Sequence, residues 1–159
     1  MAESGAAVAT PRAITPAKVA ISLIAVMTAV SPFLADFNET HVFNPRWPPH
    51  ARFHNGQTMT LGLIAGLLSL YFLWIRRAST ALENLKAGTL FAALYWAAMA
   101  PAILYPGASF VDPEYGGNEA MSLGGVPVNQ LGMDVVIFAV LALCLRAEAR
   151  RISNAQVRA

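Results

Sequence analysis

Four long apolar stretches leave this chain few ways to fold. They run over residues 16–35 (PAKVAISLIAVMTAVSPFLA), 57–75 (QTMTLGLIAGLLSLYFLWI), 87–105 (AGTLFAALYWAAMAPAILY) and 128–145 (VNQLGMDVVIFAVLALCL). At a 1.5 Å rise per residue, twenty helical residues cover about 30 Å, the thickness of a bilayer's hydrocarbon core. Backbone polar groups inside that core must be satisfied within the chain, which restricts spanning segments to helices or closed barrels. Stretches this long and continuously apolar read as helices. Composition agrees: 56% of residues are hydrophobic and only 13% charged, whereas a soluble domain carries about a quarter charged residues. Pro32 and Pro101 fall within spans, where membrane helices tolerate them.

The expected fold is therefore all-α, an integral membrane up-down four-helix bundle. A flexible tail over 1–15 precedes a membrane domain over 16–147, and a basic tail over 148–159 follows. Charge fixes the expected orientation. Arg12, Lys18, Arg76, Arg77, Lys86, Arg146, Arg150, Arg151 and Arg158, nine of the eleven basic residues, lie on the segments that the four-span arrangement puts on one side. The positive-inside rule makes that side cytoplasmic, with both termini there. The host membrane is then a bacterial inner membrane or the endoplasmic reticulum. A cleaved signal peptide is the alternative for the first span. Its best cleavage position, after Ala35, has Phe33 where a small residue is needed, so a retained span is expected.

The net charge of +2 and the lack of a basic stripe interleaved with aromatics argue against nucleic acid as a partner. The lipid bilayer is the expected one. Cys144 is the single cysteine; it excludes an intrachain disulfide and reads as a small apolar residue. Pairs at close-packing spacing, Gly62 with Gly66, Ala93 with Ala97 and Ala98 with Ala102, suggest close helix contacts. There is no internal repeat.

Two long connections, roughly 36–54 and 106–127, fall on the non-cytoplasmic side. The second, glycine-rich, reads as a lid or a solvated connector. The first holds all three histidines, and its Pro45, Pro48 and Pro49 stiffen the chain. Trp47 suits interface depth. If a helix starts after Pro49, His50 and His54 stand one turn apart on one face, with Gln57 and Thr58 continuing it and Arg52 and Asn55 pointing elsewhere. If the first helix continues through Thr40, Asp36 and Glu39 share a face, with His41 close behind. Asp134, an acid inside the fourth span, is expected to face the bundle interior. These groups are expected to converge at the outer mouth of the bundle.

Three readings of that convergence stand side by side. In the first, His50 and His54 bind a divalent metal such as zinc or iron, with Glu39, Asp36 or Asp134 as a third ligand. The pattern lacks the glutamate of H-E-x-x-H and hence that motif's general base. In the second, His50, His54, Glu39 and Asp36 perform metal-free acid–base chemistry on a lipophilic small molecule, and Asn38, Arg46, Gln57 and Asp134 orient its polar group. In the third, the loop is a hydrogen-bonded plug in a non-enzymatic membrane subunit or scaffold. No G-x-S-x-G, P-loop or dinucleotide fingerprint supports a hydrolase, nucleotide or dehydrogenase reading.

The run NETHVFNPRWPPHARFHNGQ resembles the signature N-E-T-H-x-F-N-P-x-W-P-P-H-x-x-F-H-x-x-Q of a family of small uncharacterised four-span membrane proteins from fungi and bacteria. Some members carry an acetyltransferase label, for which this chain offers no coenzyme-binding feature. The resemblance covers about 20 residues; the rest is similar in hydropathy. The four-span layout is also similar to DoxX-like and anthrone-oxygenase-like membrane proteins, and the likeness to the latter implies oxidation of aromatic polyketides without an obvious cofactor. Sterol-isomerase-like four-span proteins share the layout without an alignable motif.

Overall fold

The computed structural model describes residues 13–115, 122–123, 126–127 and 129–158. The expectations for the tail up to residue 12, and for the glycine-rich part of the second long connection over 116–121, lie outside the described residues.

Each helix begins where local chemistry favours it. Helix α1 spans Pro16–Asp36: the Thr15 hydroxyl caps it by accepting the Lys18 amide, and Pro16 occupies the first turn, where its missing N–H costs nothing. Helix α2 spans Pro49–Leu70 behind Pro48 and Pro49 and has no side-chain cap. Its last turn widens into a π-helical turn, Tyr71–Ile75, closed by the Arg76 amide on the Tyr71 carbonyl at 2.9 Å. Helix α3 spans Ala81–Met99 and opens with a reciprocal capping box between Thr80 and Glu83. It runs into a 3-10 turn, Ala100–Leu104, at Pro101. A short 3-10 turn, Pro113–Tyr115, and two paired antiparallel strands, β1 (Ser122–Leu123) and β2 (Val126–Pro127), follow. Helix α4 spans Gln130–Val157, capped by Asn129 accepting the Gly132 amide at 3.0 Å.

All four helices are long and apolar enough to cross a membrane. Only 17% to 33% of each apolar window is buried within the protein. Leu23, Leu63, Leu67, Leu90, Val135 and Leu143 are exposed along the spans. An apolar exterior of this extent belongs in lipid rather than water, so the chain is read as a multi-pass membrane protein.

Sequential helices pack as neighbours and α4 closes on α1, giving the four-helix bundle. The most extensive contact is α1 on α2, and glycine makes it possible. A Cβ at Gly62 would stand 2.8 Å from both Pro32 Cγ and the Thr28 carbonyl, and one at Gly66 would stand 2.7 Å from Ala29 Cβ. The Gly62–Gly66 pair therefore packs as its spacing predicts. Ala97, Ala98 and Ala102 do not: all three are exposed, because α3 turns its larger Tyr95 and Trp96 inward instead. Thr28 ties α1 to α3. Its hydroxyl donates to the Ala92 carbonyl at 3.1 Å and accepts from the Trp96 indole at 2.8 Å.

The helices extend further than the apolar stretches. Helix α2 begins at Pro49, before residue 57, and α3 begins at Ala81, before residue 87. The apolar part of α4 ends at Leu145, yet the helix continues through the basic segment to Val157. At this arginine-rich end the polar groups are paired. Glu148, 2% exposed, accepts Arg151 Nε and Nη2 at 3.0 and 2.8 Å on one oxygen and the Thr15 hydroxyl at 2.8 Å on the other. Burial alone pushes the Glu148 carboxyl up, but these hydrogen bonds and the nearby Arg151 and Lys18 charges outweigh it and hold the group below its ordinary value. Lys18 Nζ sits 3.7 Å over the Trp74 ring, whose indole donates to Ser22 Oγ at 2.8 Å.

Candidate functional site

The polar residues of the opposite, histidine-bearing end form four separate groups rather than one. The first follows from the start of α2. With helix from Pro49, His50 and His54 fall at i and i+4, and their Nε2 atoms approach to 3.0 Å with ring centroids 4.4 Å apart. Both are exposed. Gln57, one further turn on, places Oε1 3.1 Å from His54 Nδ1. An amide oxygen there requires His54 to carry its proton on Nδ1. That leaves His54 Nε2 as acceptor and makes His50 Nε2 the donor. In that tautomer the two Nε2 atoms share one hydrogen, and His50 Nδ1 is an acceptor. Phe53 stacks beside His50 at 6.1 Å with planes 5° apart and is itself 64% exposed. It forms an apolar platform next to the imidazoles.

The second group gathers at the end of α1. The helix stops at Asp36, so Asp36 and Glu39 do not share a helical face. Asp36 accepts from Asn55 Nδ2 at 2.7 Å and lies 3.8 Å from His41 Nε2. The Thr40 hydroxyl donates to Asn38 Oδ1 at 2.6 Å, so His41 Nδ1, 2.7 Å away, must donate to Thr40. Asn38 also caps the turn, donating to the Ala35 carbonyl at 2.6 Å and accepting the Thr40 amide at 2.8 Å. His41 rests edge-on against Trp47 with centroids 5.0 Å apart. Glu39 is exposed and has no hydrogen bond or ion pair to a described residue.

The third group joins the two long connections. Arg46 pairs with Glu114. With Asn44, Trp47 and Asp112 they line an open hollow of about 380 Å³. Asn44, 2% exposed, organises the first connection: its amide donates to the Thr40 carbonyl, its side-chain oxygen accepts the Arg46 amide, and its carbonyl accepts Arg52 Nη2 at 2.6 Å. The fourth group is Asp134, alone in the bundle. It is 2% exposed, and neither carboxylate oxygen has a hydrogen-bond partner among the described residues.

A protein metal centre needs three or four ligands around one point. His50 and His54 supply two converging nitrogens, but among the described residues no three of His, Cys, Asp and Glu come close enough to hold an ion. Asp36 is engaged by Asn55 and His41, and Asp134 is buried elsewhere. Among the described residues the histidine pair therefore has no third ligand beside it.

Sequence spacing gave the His50–His54–Gln57 row and the divergence of Arg52 and Asn55. It missed Phe53, although Phe53 stands three residues from His50 on the same helix. It also missed the Asn55–Asp36 bond, which depends on how α2 lies on α1, and Glu114, which a distant connection brings to Arg46.

A family model described as "Family of unknown function (DUF6640)" matches residues 20–158, and the chain belongs to that family. No curated protein and no solved structure matches it.

Proposed function

We propose that this DUF6640 member acts at its histidine end on the polar group of a lipophilic small molecule, by metal-free acid–base chemistry. The observation that carries the reading is the 3.0 Å contact between two exposed imidazoles beside the bare Phe53 ring. His50 Nδ1 is the base that meets the substrate. A proton taken there raises the acidity of His50 Nε2–H and drives it onto His54 Nε2. Gln57 holds His54 in the tautomer that can receive it. Phe53 offers the apolar face on which a ring or chain rests. Arg46 and Asn38 lie at the same end in neighbouring polar groups. The four-span likeness to anthrone-oxygenase-like proteins suits a lipophilic substrate. The excess of basic residues on the segments expected to be cytoplasmic supports a site facing away from the cytoplasm.

The test is to incubate detergent-purified protein with a lipid extract of its host membrane and follow composition by mass spectrometry. A compound consumed by the wild type and left unchanged by the double variant His50→Ala, His54→Ala supports the reading. Identical extracts would remove it.

A second reading, a non-enzymatic membrane scaffold, is favoured by one observation. Asn38, Asn44, Arg52 and Asn55 spend their side chains on the protein's own groups. In that case the first connection is a plug, and the histidine pair is incidental to it.

A further inference from the structure

Among the described residues, Asp134 is a carboxylate whose surroundings contradict its charge. It lies in the first turns of α4, where that helix packs on α1 and α3. A carboxylate stripped of water and given no donor is far too costly to keep ionised; such a group takes a proton or a cation. Among the described residues no basic side chain pairs with it. The titratable group in electrostatic reach of it is Tyr95 on α3, which is also in reach of Asp36 at the end of α1. The 3-10 turn Ala100–Leu104, which also meets α4, carries no titratable residue. Neither Tyr95 nor Asp36 supplies a positive charge.

We propose that Asp134 is a proton-binding site inside the bundle, carrying its proton in the resting protein at neutral pH. Tyr95 is the polar group in electrostatic reach of both Asp134 and the partly exposed Asp36. The inference does not rest on the histidine pair. It assigns the site a ligand, the proton, and a consequence. When the proton leaves, a bare carboxylate remains among apolar side chains, and water or α4 itself must move to meet it. Intramembrane acids of this kind are the usual stations of proton-coupled movement.

The experiment uses dicyclohexylcarbodiimide, a lipophilic reagent that adds only to protonated carboxyl groups. The acid O–H adds across a C=N bond of the carbodiimide, and acyl transfer to nitrogen then fixes the adduct with nothing lost. The full chain, in detergent at pH 7, is labelled and mapped by peptide mass spectrometry. An exposed aspartate is about one part in a thousand protonated at that pH. Label on Asp134 is therefore expected to exceed that on exposed Asp112 by about a thousandfold. Asp134→Asn removes the label, and Asp36→Asn keeps it. Infrared spectroscopy of the unmodified wild type gives a second readout that needs no variant to fold. The carbonyl band of a protonated acid is expected, and it shifts in D2O. Label on Asp134 no greater than on Asp112, together with absence of that band, would overturn the proposal.

Discussion

The two ends of the bundle treat polar groups in opposite ways. At the arginine end a fully buried carboxylate, Glu148, receives three hydrogen bonds, and a lysine is laid over an indole. At the histidine end an equally buried carboxylate, Asp134, receives none from the described residues, and two imidazoles stand exposed with their Nε2 atoms 3.0 Å apart. Burial is the same 2% for both acids; the difference is partners. A paired group contributes to stability, whereas a buried group left unpaired is retained in spite of its cost, and that is the usual mark of a functional position. The comparison teaches that one end fastens the helices, while the other keeps groups available.

Substitutions can break this contrast, and they rank by expected size. Glu148→Ala has the largest effect. It strands the Thr15 hydroxyl and frees Arg151, which is 44% exposed and can turn to water, so the loss is about 2 kcal/mol by thermal unfolding in detergent. Acid should reach the same site more gradually. Because Glu148 is held below its ordinary value of 4.5, its contribution is complete above that value in the unfolded chain and is lost as pH falls through the lower, folded value. Unfolding midpoints should fall on acidification below about pH 4.5, and Glu148→Gln should flatten that part of the profile. A profile unchanged by Glu148→Gln would mean that the arginine end is not fastened by this carboxylate.

Smaller effects sharpen the histidine end. Arg46→Ala removes the Arg46–Glu114 tie between the two long connections. Arg46 is 66% exposed, so its loss should cost no more than about 0.5 kcal/mol and vanish at high salt. Faster proteolysis of the second connection, with an unmoved unfolding midpoint, is the expected pattern.

The fold was legible because its signal is redundant. Each apolar stretch repeats the same statement over some twenty positions, and the bilayer accepts few answers. Gly62 and Gly66 were legible for a similar reason: helical spacing alone puts them on one face. The site was legible only within one helix. His50, His54 and Gln57 meet because they share α2, whereas Asp36 and Asn55 meet because two helices dock. Where Asp36 and Glu39 were expected on one face, α1 had already ended, and the turn from Phe37 sends Glu39 outward. Asp134 faces the interior as an intramembrane acid should, but nothing in the residue string could say that it would arrive there without a partner among the described residues.

The central claim is that the histidine pair serves function and not the fold, and one comparison tests it directly. The double variant His50→Ala, His54→Ala is measured beside Glu148→Ala for both unfolding midpoint and consumption of the lipophilic compound from host lipid extract. The account predicts that the histidine variant unfolds within about 0.5 kcal/mol of the wild type and consumes nothing, while the Glu148 variant is destabilised and remains active. A histidine variant that unfolds early, or that still consumes the compound, would contradict it.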